Sequence, residues 1–187
     1  MLCDPCRMDR INSFALVSYV PGRLGEFLDR LREEMVAGCK AHAHVTMLPP
    51  RPLSIGTETA AQSVRAAVEG FSAFPVEMTR VELFAKTDVI YLGIGTGRSD
   101  VIEIHEALNT DGLHYKEPHE FCPHVTLAQG LSAEQVAEGF ELASRRWQEW
   151  GSRRSYLIDT LTLVQNTSGN NWIDLTTCEL AEPAIHI

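Results

Sequence analysis

The 187-residue chain lacks any apolar run approaching the roughly 20 residues that a membrane-spanning helix needs, and no basic, apolar, small-residue signal opens it. Positive charge is scarce. Sixteen Lys and Arg stand against 25 Asp and Glu, for a formal net charge of −9. Cationic side chains supply much of the affinity for duplex nucleic acid by neutralising phosphates, so a chain this acidic is not expected to wrap long duplexes. A small pocket for one phosphate or a strand end remains open to it. Cysteine is sparse and odd in number: Cys3, Cys6, Cys39, Cys122 and Cys178 are scattered, which excludes a disulfide scaffold and fits the reducing cytosol. Cys3 and Cys6 have C-x-x-C spacing, but there is no second such pair and no periodic segment precedes them, so they read as part of an unstructured tail. The Asn166-Thr167-Ser168 sequon carries no meaning without a secretory signal. No linker or low-complexity stretch divides the chain. The composition, 44% apolar and 22% charged, fits one soluble, cytoplasmic domain with a single core.

What is present is periodic. Residues 11–20 read as a buried strand closed by Pro21-Gly22. Leu24, Phe27, Leu28, Leu31 and Met35 then follow helical spacing up to Gly38. A short strand over 43–48 ends at Pro49, Pro50 and Pro52. Thr59-Ala60-Ala61-Gln62 has the form of a capping box and leads a helix carrying Val64, Val68 and Phe71. Strands over 76–85 and 89–95 flank a hairpin candidate at Thr87-Asp88. The pattern then recurs: a helix capped by Ser99, a strand over 122–129, and a helix opened by Ser132-Ala133-Glu134-Gln135. Two final strands cover 156–164 and 172–180. The block order predicts two related β-α-β-α-β halves, about 11–86 and 88–180, in one domain over 11–187 behind a flexible tail at 1–10. Halves so related are expected to face each other across a groove.

Each half carries the same short motif. His42-Ala43-His44-Val45-Thr46-Met47 in the first and Cys122-Pro123-His124-Val125-Thr126-Leu127 in the second place one His-Val-Thr per half, 80 positions apart. Side chains alternate along a strand, so His44 and Thr46 share one face, as do His124 and Thr126, while Val45 and Val125 point to the core. Two such pairs meeting in a groove suit displacement at phosphorus without a metal. One histidine takes a proton from the nucleophile and the other protonates the leaving oxygen. Threonine hydroxyls donate to the non-bridging oxygens.

The paired motifs resemble those of the two-histidine phosphoesterases, the 2′,5′ RNA ligase and cyclic phosphodiesterase superfamily, whose signature is a His-x-Thr/Ser-x motif in each of two lobes. Pro123, the aromatic Phe121, and Trp172 leading to Asp174 and Leu175 extend the match, which covers about residues 11–180. The resemblance implies an α+β, bilobal fold with helices outside and a central water-filled cleft. It implies cyclic phosphodiesterase or RNA 2′,5′ end-joining activity that needs no metal and no cofactor, with His44 and His124 catalytic and Thr46 and Thr126 on the substrate. It also implies His124 as base and His44 as acid, although residue type alone allows the reverse. With so little positive charge, a small nucleotide or RNA-end phosphate is the expected partner. Arg51, Lys86 and Lys116 are candidates to line the cleft, and Tyr115 or Phe121 to stack on a base.

Other readings compete. His42 and His44 form a His-x-His pair, and with Cys122 and His124 they are a conceivable zinc set, but no further ligand pattern supports it. His42 reads more simply as a rim residue. His105, His114, His119 and His186 show no partner pattern and are expected at the surface or at caps. Gly93-Ile94-Gly95-Thr96-Gly97 follows a strand but fails dinucleotide spacing at Arg98, so it reads as a turn. A non-catalytic nucleotide-binding module is the remaining alternative.

Overall fold

Runs of buried residues in Phe14–Val17, Ile90–Ile94 and Leu161–Val164 form the centres of strands, while 3.6-residue spacing of Leu24, Leu28 and Leu31 makes a helix of the segment after the first strand. The computed structural model describes residues 9–182, so Cys3, Cys6, His186 and nearly all of the expected tail lie outside the described residues. The strands are β1 (Arg10–Tyr19), β2 (His44–Arg51), β3 (Phe74–Phe84), β4 (Val89–Ile94), β5 (His124–Ala128), β6 (Ser155–Ile158), β7 (Thr160–Thr167) and β8 (Trp172–Glu179). The helices are α1 (Gly22–Met35), α2 (Thr57–Val68), α3 (Arg98–Leu108) and α4 (Ala133–Glu149), with one 3-10 turn at Asp111–Leu113.

These strands build two antiparallel sheets in the orders β2-β1-β7-β8 and β5-β4-β3-β6, an α+β bilobal fold. The sheets do not follow the halves of the chain. β3 ends the first half yet pairs with β4, and β7 lies in the second yet pairs with β1. The Thr87-Asp88 hairpin makes this unavoidable, because a tight turn forces the strands it joins to be neighbours. Asp88 occupies the left-handed region at φ 54°. The border expected near residue 87 is therefore a turn inside one sheet. The single strand expected over 156–164 is also two. The chain leaves β3's edge after Ile158 and enters the other sheet at Thr160.

Helices are exchanged in the same reciprocal way. α1 packs on β5 and α3 on β2, while α4 covers β3 and β4 and α2 lies against β8. The motif strands β2 and β5 meet at the centre. The Ser132 capping box forms as expected. The two other helix starts differ. α2 opens at Thr57 behind Gly56 rather than at Thr59, and α3 is capped by Gly97 rather than Ser99. Gly97 sits at φ 79°, and a Cβ there would lie 2.3 Å from the Pro75 carbonyl oxygen. The glycine-rich stretch is thus a turn that lets the chain pass close to β3.

Candidate active site

Both motif histidines are oriented by their own strands. His44 Nδ1 bonds the His42 carbonyl at 2.7 Å, and His124 Nδ1 bonds the Cys122 carbonyl at 2.7 Å. A carbonyl only accepts, so each Nδ1 carries the hydrogen and each neutral ring keeps a lone pair on Nε2. In the second lobe that Nε2 lies 3.1 Å from the Thr126 hydroxyl. The duplicated motif thus yields duplicated tautomers.

The surroundings of the two rings differ. His124 stands with its edge toward Phe84 and Tyr91, at 5.1 and 5.3 Å between ring centres, and those two rings stack on each other. Among the described aromatic rings His44 meets only Tyr19, edge on at 6.3 Å. Burial pushes the His44 pKa down to about 4, against the His42 carbonyl bond, which favours the charged form; Arg32 and His124 push it further down. His124 is also lowered, by burial, with the Cys122 carbonyl opposing. The two rings are therefore near enough that charge on one disfavours charge on the other.

Arg32 carries no local signal in the sequence, since an arginine on a helix reads as surface. It is 7% exposed and donates through Nη1 to the Thr126 carbonyl across the lobe boundary, with Nη2 3.8 Å from the Cys39 sulfur. On α3, the corresponding helix of the second half, His105 donates through Nδ1 to the Met47 carbonyl at 2.7 Å. His105, expected at the surface, is buried because it spans from α3 to β2 and stacks on Phe121 at 3.7 Å.

Three of the expected substrate contacts have partners within the protein. Arg51 is 2% exposed, and its guanidinium is taken up by Glu117, Asn109 and the Leu113 carbonyl, so it anchors the segment before β5 instead of facing a ligand. Phe121 is occupied by His105 and the core. Tyr115 lies over Arg51 at 5.8 Å. Lys86 and Lys116 are exposed. The polar anchors of this Pro-bearing segment hold Phe121 against the core, while Tyr115 stays half-exposed. His42 is exposed and held through Nδ1 by Asp29 at 2.7 Å, which also accepts from the Ala43 amide. Among the described residues no group of three or more His, Cys, Asp or Glu is placed to hold a metal ion. No helix among them is long and apolar enough to cross a membrane.

Comparison with known proteins agrees with this geometry. The family model described as the 2′-5′ RNA ligase superfamily matches residues 20–170. A provisionally named phosphoesterase of Staphylococcus aureus (strain Newman) is 29% identical over 141 residues, 74% of this chain and 80% of that one. Among solved structures, E. coli LigT complexed with ATP superposes with a TM-score of 0.63 at 15% identity, over 93% of this chain and all of LigT. LigT complexed with 3′-AMP gives 0.63 at 14% identity, over 94% of this chain and all of LigT.

Proposed function

We propose a metal-independent phosphodiesterase, acting on a 2′,3′-cyclic phosphate or a related nucleotide or RNA-end phosphodiester, for this chain, which belongs to the 2′-5′ RNA ligase superfamily. The observation that carries the reading is the pair of Nδ1-anchored histidines, each leaving Nε2 free of its carbonyl tether, on two motif strands that meet. His44 is the base, since burial and the Arg32 charge favour its neutral form most strongly. His124 is the acid. This reverses the roles that the family resemblance implies, and it follows from the unequal surroundings of the two rings.

With a cyclic phosphate between the motifs, water attacks phosphorus in line while His44 Nε2 takes its proton. The bond from phosphorus to one ribose oxygen breaks, and His124 Nε2–H protonates that oxygen. The product is a phosphomonoester. Thr46 and Thr126 donate to the non-bridging oxygens, where negative charge develops, and Thr126 releases His124 to do so. Negative charge on the substrate offsets the repulsion that one protonated ring imposes on the other.

The net charge of −9 supports a small nucleotide over a long RNA. The ATP and 3′-AMP bound by E. coli LigT support the same choice. Cys39, Cys122 and Cys178 are free thiols, which supports a cytoplasmic setting. The four nucleoside 2′,3′-cyclic monophosphates, supplied with excess chelator, test the reading. Conversion of at least one to a phosphomonoester is expected. Failure on all four, or activity that returns only with added metal, would overturn it.

A further inference from the structure

The cleft face of the first sheet carries a patch that proton transfer does not use. Ala15, Val17 and Val164 are buried there in a cluster of their own, separate from the main core, with Tyr19 and Trp172 packed against it. Strand pairing places this patch beside the motif: Tyr19 is opposite His44 and Val17 is opposite Thr46, while Ala15 is opposite Val164. Tyr19 links the motif to a carboxylate. Its ring meets His44 at 6.3 Å and its hydroxyl donates to Asp174 Oδ1 at 2.6 Å. Burial, then the bond and the charge of Asp174, raises the Tyr19 pKa and keeps it a donor. Asp174 lies two residues from Trp172 on β8, so both side chains stand on one face of the strand. Asp174 is exposed, and its second oxygen accepts no hydrogen bond among the described residues.

A carboxylate repels phosphate, so an acidic group one tyrosine ring away from a catalytic histidine must serve a different part of the ligand. That spacing resembles the way ribose separates phosphate from base in a nucleotide. We propose that Tyr19, Trp172 and Asp174 form the nucleobase subsite of this cleft, and that Asp174 selects a base whose edge presents N–H donors, guanine foremost. The inference rests on the phosphodiesterase reading and specifies its substrate. Trp172 and Tyr19 supply flat apolar faces for stacking, which every base satisfies equally. Asp174 supplies discrimination. Guanine offers N1–H and its amino group side by side to a carboxylate, adenine and cytosine offer one amino group, and uracil flanks its single N–H with two repelling carbonyls.

The test compares kcat/KM for guanosine, adenosine, cytidine and uridine 2′,3′-cyclic phosphates in the full-length protein and in Asp174→Asn and Trp172→Ala. Guanosine should exceed uridine by about tenfold or more in the unaltered protein, the discrimination a two-point contact gives, and the ratio should fall to within about threefold in Asp174→Asn. Trp172→Ala should lower all four together. A guanosine-to-uridine ratio near one, or a ratio that Asp174→Asn leaves unchanged, overturns the subsite while leaving the phosphodiesterase standing. If none of the four is hydrolysed, the phosphodiesterase reading fails and calorimetric binding of guanosine and uridine 3′-monophosphates decides the subsite. Tighter guanosine binding that Asp174→Asn abolishes upholds it, and equal binding ends it.

Discussion

Arg32 on α1 donates to the backbone carbonyl of Thr126, so a helix of the first half grips the motif strand of the second. The mirror relation, His105 on α3 to the Met47 carbonyl, runs the other way. Each lobe's reactive strand is thus fixed in part by the opposite half, which couples the separation of the two histidines to the packing of both helices. Arg32 differs from its counterpart in carrying a permanent charge next to His44.

Replacing Arg32 with Met should therefore raise the His44 pKa, while Arg32→Lys should largely preserve it. Histidine ring signals followed by NMR across pH, with no substrate present, read this directly. An unchanged His44 titration in Arg32→Met would remove Arg32 from the account.

The pH dependence of kcat/KM follows from the two lowered histidines. His44 must be neutral, which holds above about pH 4, and His124 must be protonated, which holds only below its own depressed value. Activity of the free enzyme on dilute substrate should be greatest on the acid side of neutrality and fall as pH rises through the His124 titration. The kcat profile should lie at higher pH, because bound phosphate favours the charged ring. Stability should run oppositely. Folded His44 takes up its proton near pH 4 and unfolded His44 near 6.5, so the unfolded state holds more protons between those values and stability falls as pH drops through that window. Thermal melts of His44→Gln should show a shallower loss over the same range.

Thr46→Val and Thr126→Val keep shape but remove a donor, and each should lower kcat by about 10-fold to 10³-fold, the range of lost oxyanion donors. Steady-state kinetics on a cyclic nucleotide measures it. A Thr126→Val variant at full rate would mean that its hydroxyl serves only His124 in the unliganded cleft.

The site was legible in the sequence where the chemistry is local. A strand's two-residue period is enough to put His44 with Thr46 and His124 with Thr126, and the 80-residue repeat is enough to pair them. Tertiary exchange was not legible. Nothing in the local pattern says that β7 returns to β1 or that the 156–164 run breaks at Asp159. The same gap misplaced Arg51, whose partners Asn109 and Glu117 lie 58 and 66 residues away. It also hid Arg32 and His105, each of which bonds a backbone carbonyl on a motif strand of the other half.

His42→Ala should be mild. His42 is exposed, its ring is held by Asp29, and the equivalent place in the second motif is Cys122, so its removal should cost only a few-fold, within the usual effect of a surface change. Activity assays with metal analysis of the purified protein check this. A dead His42→Ala protein that had lost bound zinc would return the His-x-His pair to metal binding.

If His44 and His124 act as one acid–base pair, kcat on a nucleoside 2′,3′-cyclic phosphate for His44→Ala, His124→Ala and the double variant will show it. Each single change should cost about 10²- to 10⁴-fold, the worth of a positioned proton carrier. The double change should cost less than the product of the two, since members of one catalytic unit are not additive. A His124→Ala protein that retains full rate while His44→Ala is inactive would contradict the account, because it would confine the chemistry to one motif.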